Sequence, residues 1–325
     1  MSNYNPATIT RKCVKLAPVS ALASIIFSLV LLLTSAHAQA ASLEIEKVTD
    51  GIYALVGELG QRSPTNLGNN ATFGVIVTDQ GVVLIDSGGT DKGAAQIDEA
   101  IKTFTHKPVV VVINTGGQDH RWLGNGYFKQ KGARIIASSD AVADQKARYS
   151  EELTMLENTV GTMGTAGTRD VYADETFASS LDLNIGGIKM QLRHPGPAHT
   201  LGDSYVWLPK QKVVFTGDIV FVDRMLGIGS MSNSRSWMNA FEQIAVLQPE
   251  HVVPGHGGPT TIKKARADTY DYLAMIRSKI RELLKAGGGI SQVGAIDQSR
   301  FQYLKNYDEL KGRNAERVFL ELEWE

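Results

Sequence analysis

The chain has 325 residues, 43% hydrophobic and 21% charged, the make-up of a packed globular protein and not of a disordered or fibrous one. Lys plus Arg is 33 against 34 Asp plus Glu, a formal net charge of -1, so no basic excess points to a nucleic-acid partner. The single cysteine, Cys13, excludes a disulfide framework and any multi-cysteine zinc site.

Arg11, Lys12 and Lys15 precede an apolar run from Leu16 to about Leu33, and Ala36, Ala38 and Ala40 follow in A-x-A spacing. That is the layout of a secretory signal, residues 1–38, cleaved after Ala38 or Ala40 and leaving no lasting membrane span. The run is nearly long enough for an uncleaved anchor, but two overlapping A-x-A sites favour cleavage. A periplasmic or secreted location is therefore expected, with a mature chain, residues 39–325, that is cysteine-free and more acidic.

Short strand signals follow. Residues 42–48 alternate apolar and polar, and 52–56 follow across the Asp50-Gly51 turn pair. Residues 72–77 and 81–85 form a second hairpin. Residues 91–104 read as a helix with Ala94, Ala95, Ile97, Ala100 and Ile101 on one face. Residues 108–114, PVVVVIN, are an unbroken apolar run, the pattern of a strand buried on both faces. A helix at 123–130, a strand at 133–138 and a helix at 140–163 come next; in the last, Val142, Leu153, Leu156 and Val160 offer a core stripe. The second half repeats the scheme, with strands at 181–185, 188–193, 204–208, 212–216 and 251–253, and helices at 236–248 and 261–285. Residues 286–325 read as a helical extension packed on the outside. Two mixed sheets flanked by helices, a four-layer α/β sandwich in one domain, is the expected fold.

Four polar stretches directly follow strands: Gly116-Gly117-Gln118-Asp119-His120-Arg121, His194-Pro195-Gly196-Pro197-Ala198-His199-Thr200, Thr216-Gly217-Asp218 and Pro254-Gly255-His256-Gly257. Sites in layered α/β folds collect at strand ends. Imidazole and carboxylate recurring at four such ends point to a divalent ion, which lowers the pKa of a bound water and supplies a hydroxide nucleophile. His256 between two glycines has little packing to explain it, and Asp218 after a buried strand needs a partner. His199 is a ligand candidate that can instead bond a backbone carbonyl. His194 reads as structural and Asp203 as a turn former.

The run HPGPAHTLGDSYVWLPKQKVVFTGDIVF, with VINTGGQDHRWLGN and VVPGHG, resembles the metallo-β-lactamase-fold superfamily over Leu43 to about Lys285. The resemblance implies an αββα sandwich and a one- or two-metal hydrolytic site in which His199 serves the first metal, Asp218 bridges and His256 serves the second. GPAHTLGD and FTGDIVF are most similar to periplasmic members linked to sulfur oxidation or quinoprotein systems. The chain departs from the family's His-x-His-x-Asp-His motif. Without a gap, Gly116 and Gln118 stand at the two first-metal histidines, His120 at the aspartate and Arg121 at the last histidine. With a one-residue slip, Asp119-His120 match the Asp-His pair, and Thr115 and Gly117 stand at the missing histidines. Either register removes both first-metal histidines, so one ion is expected at the second site, held by His120, Asp218 and His256, with Asp119 as a ligand or general base.

Zinc is the expected ion, with iron or manganese as alternatives. Arg121 is a candidate for stabilising an anionic substrate or oxyanion, or else for a salt bridge. The loop 57–70 and Asp223-Arg224-Met225 are placed to line the pocket. The expected activity is hydrolysis of a small-molecule ester, thioester, lactone or β-lactam. The alternative is a non-catalytic ligand-binding or pathway-accessory protein that has lost the first site.

Overall fold

The computed structural model describes residues 1–3 and 43–325. Contacts divide the chain into two units, Met1–Gln39 and Ala40–Glu325. Of the first, only residues 1–3 are described, and they carry no regular element. The expected signal segment, its cleavage sites and Cys13 otherwise lie outside the described residues. Among the described residues no helix is long and apolar enough to cross a membrane.

The second unit opens with β1 (Glu44–Thr49), β2 (Ile52–Val56), β3 (Thr72–Thr78) and β4 (Gly81–Ile85), an antiparallel meander. Helix α1 (Asp91–Lys102) starts where the Thr90 side chain accepts from Gly93 N–H at 2.9 Å, and it buries Ala94, Ile97 and Ile101. β5 (Val109–Asn114), the one-turn α2 (Asp119–Trp122), α3 (Asn125–Gln130) and β6 (Arg134–Ser138) follow. The long helix α4 (Ser139–Val160), capped by Ser138 on Ala141 N–H, and the short α5 (Thr162–Thr165) lead to β7 (Glu175–Phe177). Strands β4 to β7 pair in parallel, completing a seven-stranded mixed sheet in sequential order.

The second sheet runs β12-β11-β10-β9-β8, from β8 (Ser180–Ile185), β9 (Ile188–Arg193), β10 (Tyr205–Leu208), β11 (Val213–Phe215) and β12 (His251–Val253). Only β11 and β12 pair in parallel, because α6 (Ser234–Ala245) crosses between them. Then come α7 (Ile262–Ala265), a wide turn at Arg266–Tyr270, α8 (Asp271–Lys285) and α9 (Tyr307–Leu322).

Three apolar clusters define the layers. Ile52, Ile76, Val83, Ile113 and Ile136 of the first sheet meet Met190, Leu192, Val206, Phe215 and Val253 of the second between the sheets. Phe73, Val75, Leu84 and Val112 take Ala94, Ile97 and Phe128 of α1 and α3 on the outer face. Trp207, Val214 and Val252 take Trp237, Phe241, Leu273, Ile276, Val318 and Phe319 of α6, α8 and α9 on the other. The fold is the expected sandwich of two mixed sheets flanked by helices.

Local differences have physical causes. β7 is three residues long, too short to show alternation, and is recruited by pairing with β6. The helix expected at 123–130 is preceded by the separate turn α2. Helix α4 buries Leu156 and Val160, but Val142 and Leu153 are only half-buried; its other buried residues are Ala141 and the polar Asp144, Gln145 and Glu152. The expected stripe is thus only half the story, and a polar face turns inward. The stretch 286–306 is turns and short 3-10 helices, and only α9 is a regular helix in the extension.

Candidate metal centre

The candidate residues sit where the parallel strands end. β5 stops at Asn114, whose side-chain amide donates to the Arg121 carbonyl at 2.7 Å and pairs with Asn125, pinning α2 against the sheet. β11 runs into the tight turn Gly217–Ile219, which carries Asp218, and β12 into Gly255-His256. Gly217 has φ 50° and no room for a Cβ, which would strike the Thr115 side chain. Gly255 is as constrained, since a Cβ there would meet the Gly217 carbonyl and the Arg121 guanidinium.

His120, Asp218 and His256 meet at one point. All three are buried, and one ligand atom from each lies within 4.8 Å of the others, the one such group of His, Cys, Asp and Glu among the described residues. Asp218 Oδ2 is 3.2 Å from His120 Nε2, and Oδ1 is 3.2 Å from His256 Nε2. His256 Nδ1 lies 2.8 Å from the Asn70 carbonyl. Arg224 Nη1, which can only donate, lies 3.0 Å from the same Nδ1, so a donor and an acceptor both face that nitrogen, while Nε2 faces a carboxylate oxygen of Asp218. A backbone carbonyl behind the ring is also the usual support of a ligating histidine.

The centre is heavily charged. Arg121, fully buried, donates through Nε (3.1 Å) and Nη2 (2.6 Å) to both oxygens of Asp218, through Nη1 to Asp86 (2.9 Å), and to the Gly255 carbonyl (2.9 Å). Burial opposes ionisation of Asp218, but Arg121 and His120 outweigh it and hold its carboxyl well below the usual range. Burial drives His256 down, with Arg224 adding to the effect, so the ring is neutral as a metal ligand must be.

The Gly116-Gly117 loop is closely packed by other side chains. A Cβ on Gly116 would lie 2.5 Å from Asp203 Oδ1, and one on Gly117 would strike the Asp144 carboxylate. Asp203 is fixed by Thr200, whose N–H and hydroxyl donate to it at 2.7 and 2.6 Å. Burial and the neighbouring Asp218 push its pKa up to about 7. His199 Nε2 meets the Gln118 amide at 3.2 Å, and its Nδ1 donates to the Gly227 carbonyl at 2.9 Å. Burial lowers its pKa to about 4.

The structure thus brings together His120, Asp218 and His256. It does not bring in Asp119, which is buried beside them but takes the Arg62 guanidinium and its neighbour's backbone N–H. Nor does it bring in His199, which sits on a cleft wall. Arg121 occupies the salt-bridge role of the two expected for it, sealed beneath the centre. His194 bonds the Asp203 carbonyl and faces Asp140, as a structural residue does.

Sequence reasoning missed Asp86, Arg62 and the polar face of α4. Asp144, Arg148 and Glu152 recur every fourth residue, a spacing legible as an ion-pair ladder. Nothing local marks Arg62 or Asp86. Burial and the nearby Asp119 raise Glu152 to about 8. Over the trio opens a cleft of about 450 Å³, lined by His120, His199, His256, Phe221 and several arginines.

The model of the metallo-beta-lactamase superfamily matches residues 68–256. The chain is 28% identical over 219 residues to the metallo-beta-lactamase type 2 of Elizabethkingia meningoseptica, covering 66% of this chain and 78% of that one. Among solved structures, a metallo-beta-lactamase from Pontibacter korlensis superposes with a TM-score of 0.55 at 21% identity, covering 69% of this chain and 95% of that one. The stereoselective inverting sec-alkylsulfatase of Pseudomonas sp. superposes with a TM-score of 0.67 at 17% identity, over 85% of this chain and 50% of that one. These structural likenesses speak to the fold.

Proposed function

The chain belongs to the metallo-beta-lactamase superfamily of metallo-hydrolases, and from that premise we propose that it is an exported hydrolase working with one divalent ion, zinc first among candidates, held by His120, Asp218 and His256. The observation that carries this reading is the buried trio, with His120 Nε2 and His256 Nε2 each 3.2 Å from an oxygen of Asp218. Two imidazoles and one carboxylate, with a position left open, suit a mononuclear catalytic site. When bound, such an ion acidifies a water molecule and polarises a carbonyl, the needs of ester, thioester, lactone or β-lactam hydrolysis.

The chain's own residues prepare that chemistry. The Asn70 carbonyl and Arg224 Nη1, at 2.8 and 3.0 Å from Nδ1, hold the His256 ring in place. Asp119 Oδ1 lies 3.0 Å from His120 Nδ1 and orients that ring. Arg121 holds Asp218 in one rotation without reaching substrate, and is a positioning residue. The 57–70 loop supplies Arg62 to the cleft wall.

A second reading, a non-catalytic ligand-binding protein or an accessory of a sulfur-oxidation or quinoprotein system, draws on Arg121 as well. Asp218 already receives two guanidinium bonds and keeps its charge without an ion. Metal analysis separates the two. Purified with zinc supplied, the wild type is expected to carry about one equivalent per chain and His256→Ala none. A panel of a thioester, a lactone and a cephalosporin should then show chelator-sensitive turnover. Wild-type protein that binds no metal overturns the hydrolase reading; metal without turnover moves it to the accessory one.

A further inference from the structure

Three carboxylates and two guanidiniums share one network where α2 meets α4. The acids Asp119, Asp144 and Glu152 are 0, 1 and 2% exposed. Arg62 pairs with Asp119. Arg148 grips Asp144 with two bonds, Nε to Oδ1 at 2.6 Å and Nη2 to Oδ2 at 2.5 Å, and spares only Nη1 for Glu152 Oε1, at 2.5 Å. Glu152 is thus the acid with no guanidinium of its own. Its Oε2 is buried without a hydrogen-bond partner among the described residues. Glu152 and Arg62 line the same cleft as His120 and His256.

Fully ionised, these three acids and two bases would leave one negative charge uncompensated out of water. A bound proton removes that charge, and it belongs on the carboxylate that cations hold least. Burial opposes ionisation of Asp119, but Arg62 and His120 hold its carboxyl well below the usual range. Burial, then Asp119, raises Glu152 to about 8 against the pull of Arg148 and Arg62, and Asp144 adds to the rise. The proton therefore stays on Glu152 at neutral pH. Arg148 Nη1 occupies Oε1, so the proton sits on Oε2, an O–H donor that no described residue receives.

Building on the hydrolase reading, we propose that Glu152 is the catalytic acid that protonates the leaving atom of the substrate. As the oxygen of a water molecule bonds to the acyl carbon, the bond from that carbon to the leaving atom breaks. Its electron pair stays on the leaving atom, which takes the proton from Glu152 Oε2. One proton of the water returns to the Glu152 carboxylate, and the other stays with the product acid. Such help is large for an alkoxide or an amide nitrogen, too basic to depart unprotonated, and small for a thiolate, which persists near neutral pH. The cleft is therefore built for alkyl esters, lactones or lactams in preference to thioesters.

Two measurements test this. In chelator, infrared difference spectra of wild type against Glu152→Gln at pH 7 are expected to show the carbonyl band of a protonated carboxyl, fading as pH rises through about 8. With zinc supplied, turnover of an alkyl ester is compared with that of its thioester analogue. Glu152→Gln is expected to lose about a hundredfold on the ester, and about tenfold or more beyond its loss on the thioester. The fall in wild-type kcat on the ester above about pH 8 should be missing from the variant. Glu152→Asp sets the acid one methylene back and is expected to lose about threefold or more on the ester beyond its loss on the thioester; it keeps the test open should the Gln variant not fold. Absence of the carboxyl band, or equal losses on the two substrates, overturns the role of Glu152 and leaves the hydrolase reading standing. A wild type that turns over neither substrate overturns the hydrolase reading, and this role with it.

Discussion

Replacing Arg121 by Met keeps much of the side-chain length and removes its charge. Arg121 is fully buried and is the sole ion-pair partner of Asp86 among the described residues and the sole fixed cation on Asp218. Asp86 retains the Thr115 N–H and hydroxyl at 2.7 and 2.8 Å, so most of the damage falls on Asp218. Removing one partner of a buried pair costs about 3–5 kcal/mol, because the other charge stays behind without compensation. At roughly 2 °C per kcal/mol for a domain of this size, the melting temperature should fall by about 6–10 °C. The assay is thermal and urea unfolding in chelator, repeated with zinc. An ion on the trio takes over part of the missing positive charge, and at a hundredfold excess over its Kd contributes about 2.7 kcal/mol. Zinc should therefore rescue Arg121→Met more than it stabilises the wild type. A loss below about 1 kcal/mol in chelator would refute Arg121 as the counter-charge of this centre. Equal zinc shifts in both proteins would refute the sharing of Asp218.

Three further outcomes are expected. Gly116→His, which restores a family ligand type, should not raise the metal content, and should destabilise by about 1–3 kcal/mol because its Cβ meets Asp203 at 2.5 Å; two ions by elemental analysis would show the first site to be open. Asp203 holds its proton up to about 7 in the folded chain but only to about 4 unfolded. The folded state therefore binds more protons between those values, and this residue's contribution falls as pH rises through that window and levels off above it. Denaturation of Asp203→Asn and wild type across pH 4–8 should show a difference curve of that sign, about a few kcal/mol deep; a flat difference rejects the assignment. Trp237 is fully buried behind the Asp218 turn and donates to the Ile219 carbonyl at 2.9 Å, so Trp237→Ala should lose about 3–5 kcal/mol in urea unfolding.

The fold was legible because its signals are local. The run PVVVVIN could only be a strand covered on both faces, and the alternation of strands and helices in two halves fixed two flanked sheets. His120, Asp218 and His256 were legible as well, because small residues around a polar group at the end of an apolar run are a local pattern. β7 and the polar face of α4 were not. A three-residue strand takes its conformation from the neighbour it pairs with, and on the polar face Asp144 and Gln145 are covered by the Gly116-Gly117 loop while Glu152 is paired with Arg148 at the cleft.

By itself the sequence determined the sandwich and the strand ends at which His120, Asp218 and His256 meet. Tertiary structure decided the rest: that Arg121 lies buried beneath the centre, that Asp203 and Asp144 pack against Gly116 and Gly117, and that Arg62 and Arg224, 162 positions apart in the chain, face one cleft. The reason is physical. Charge compensation and excluded volume act between atoms within a few ångströms in space, and separation along the chain says nothing of either until the strands have paired.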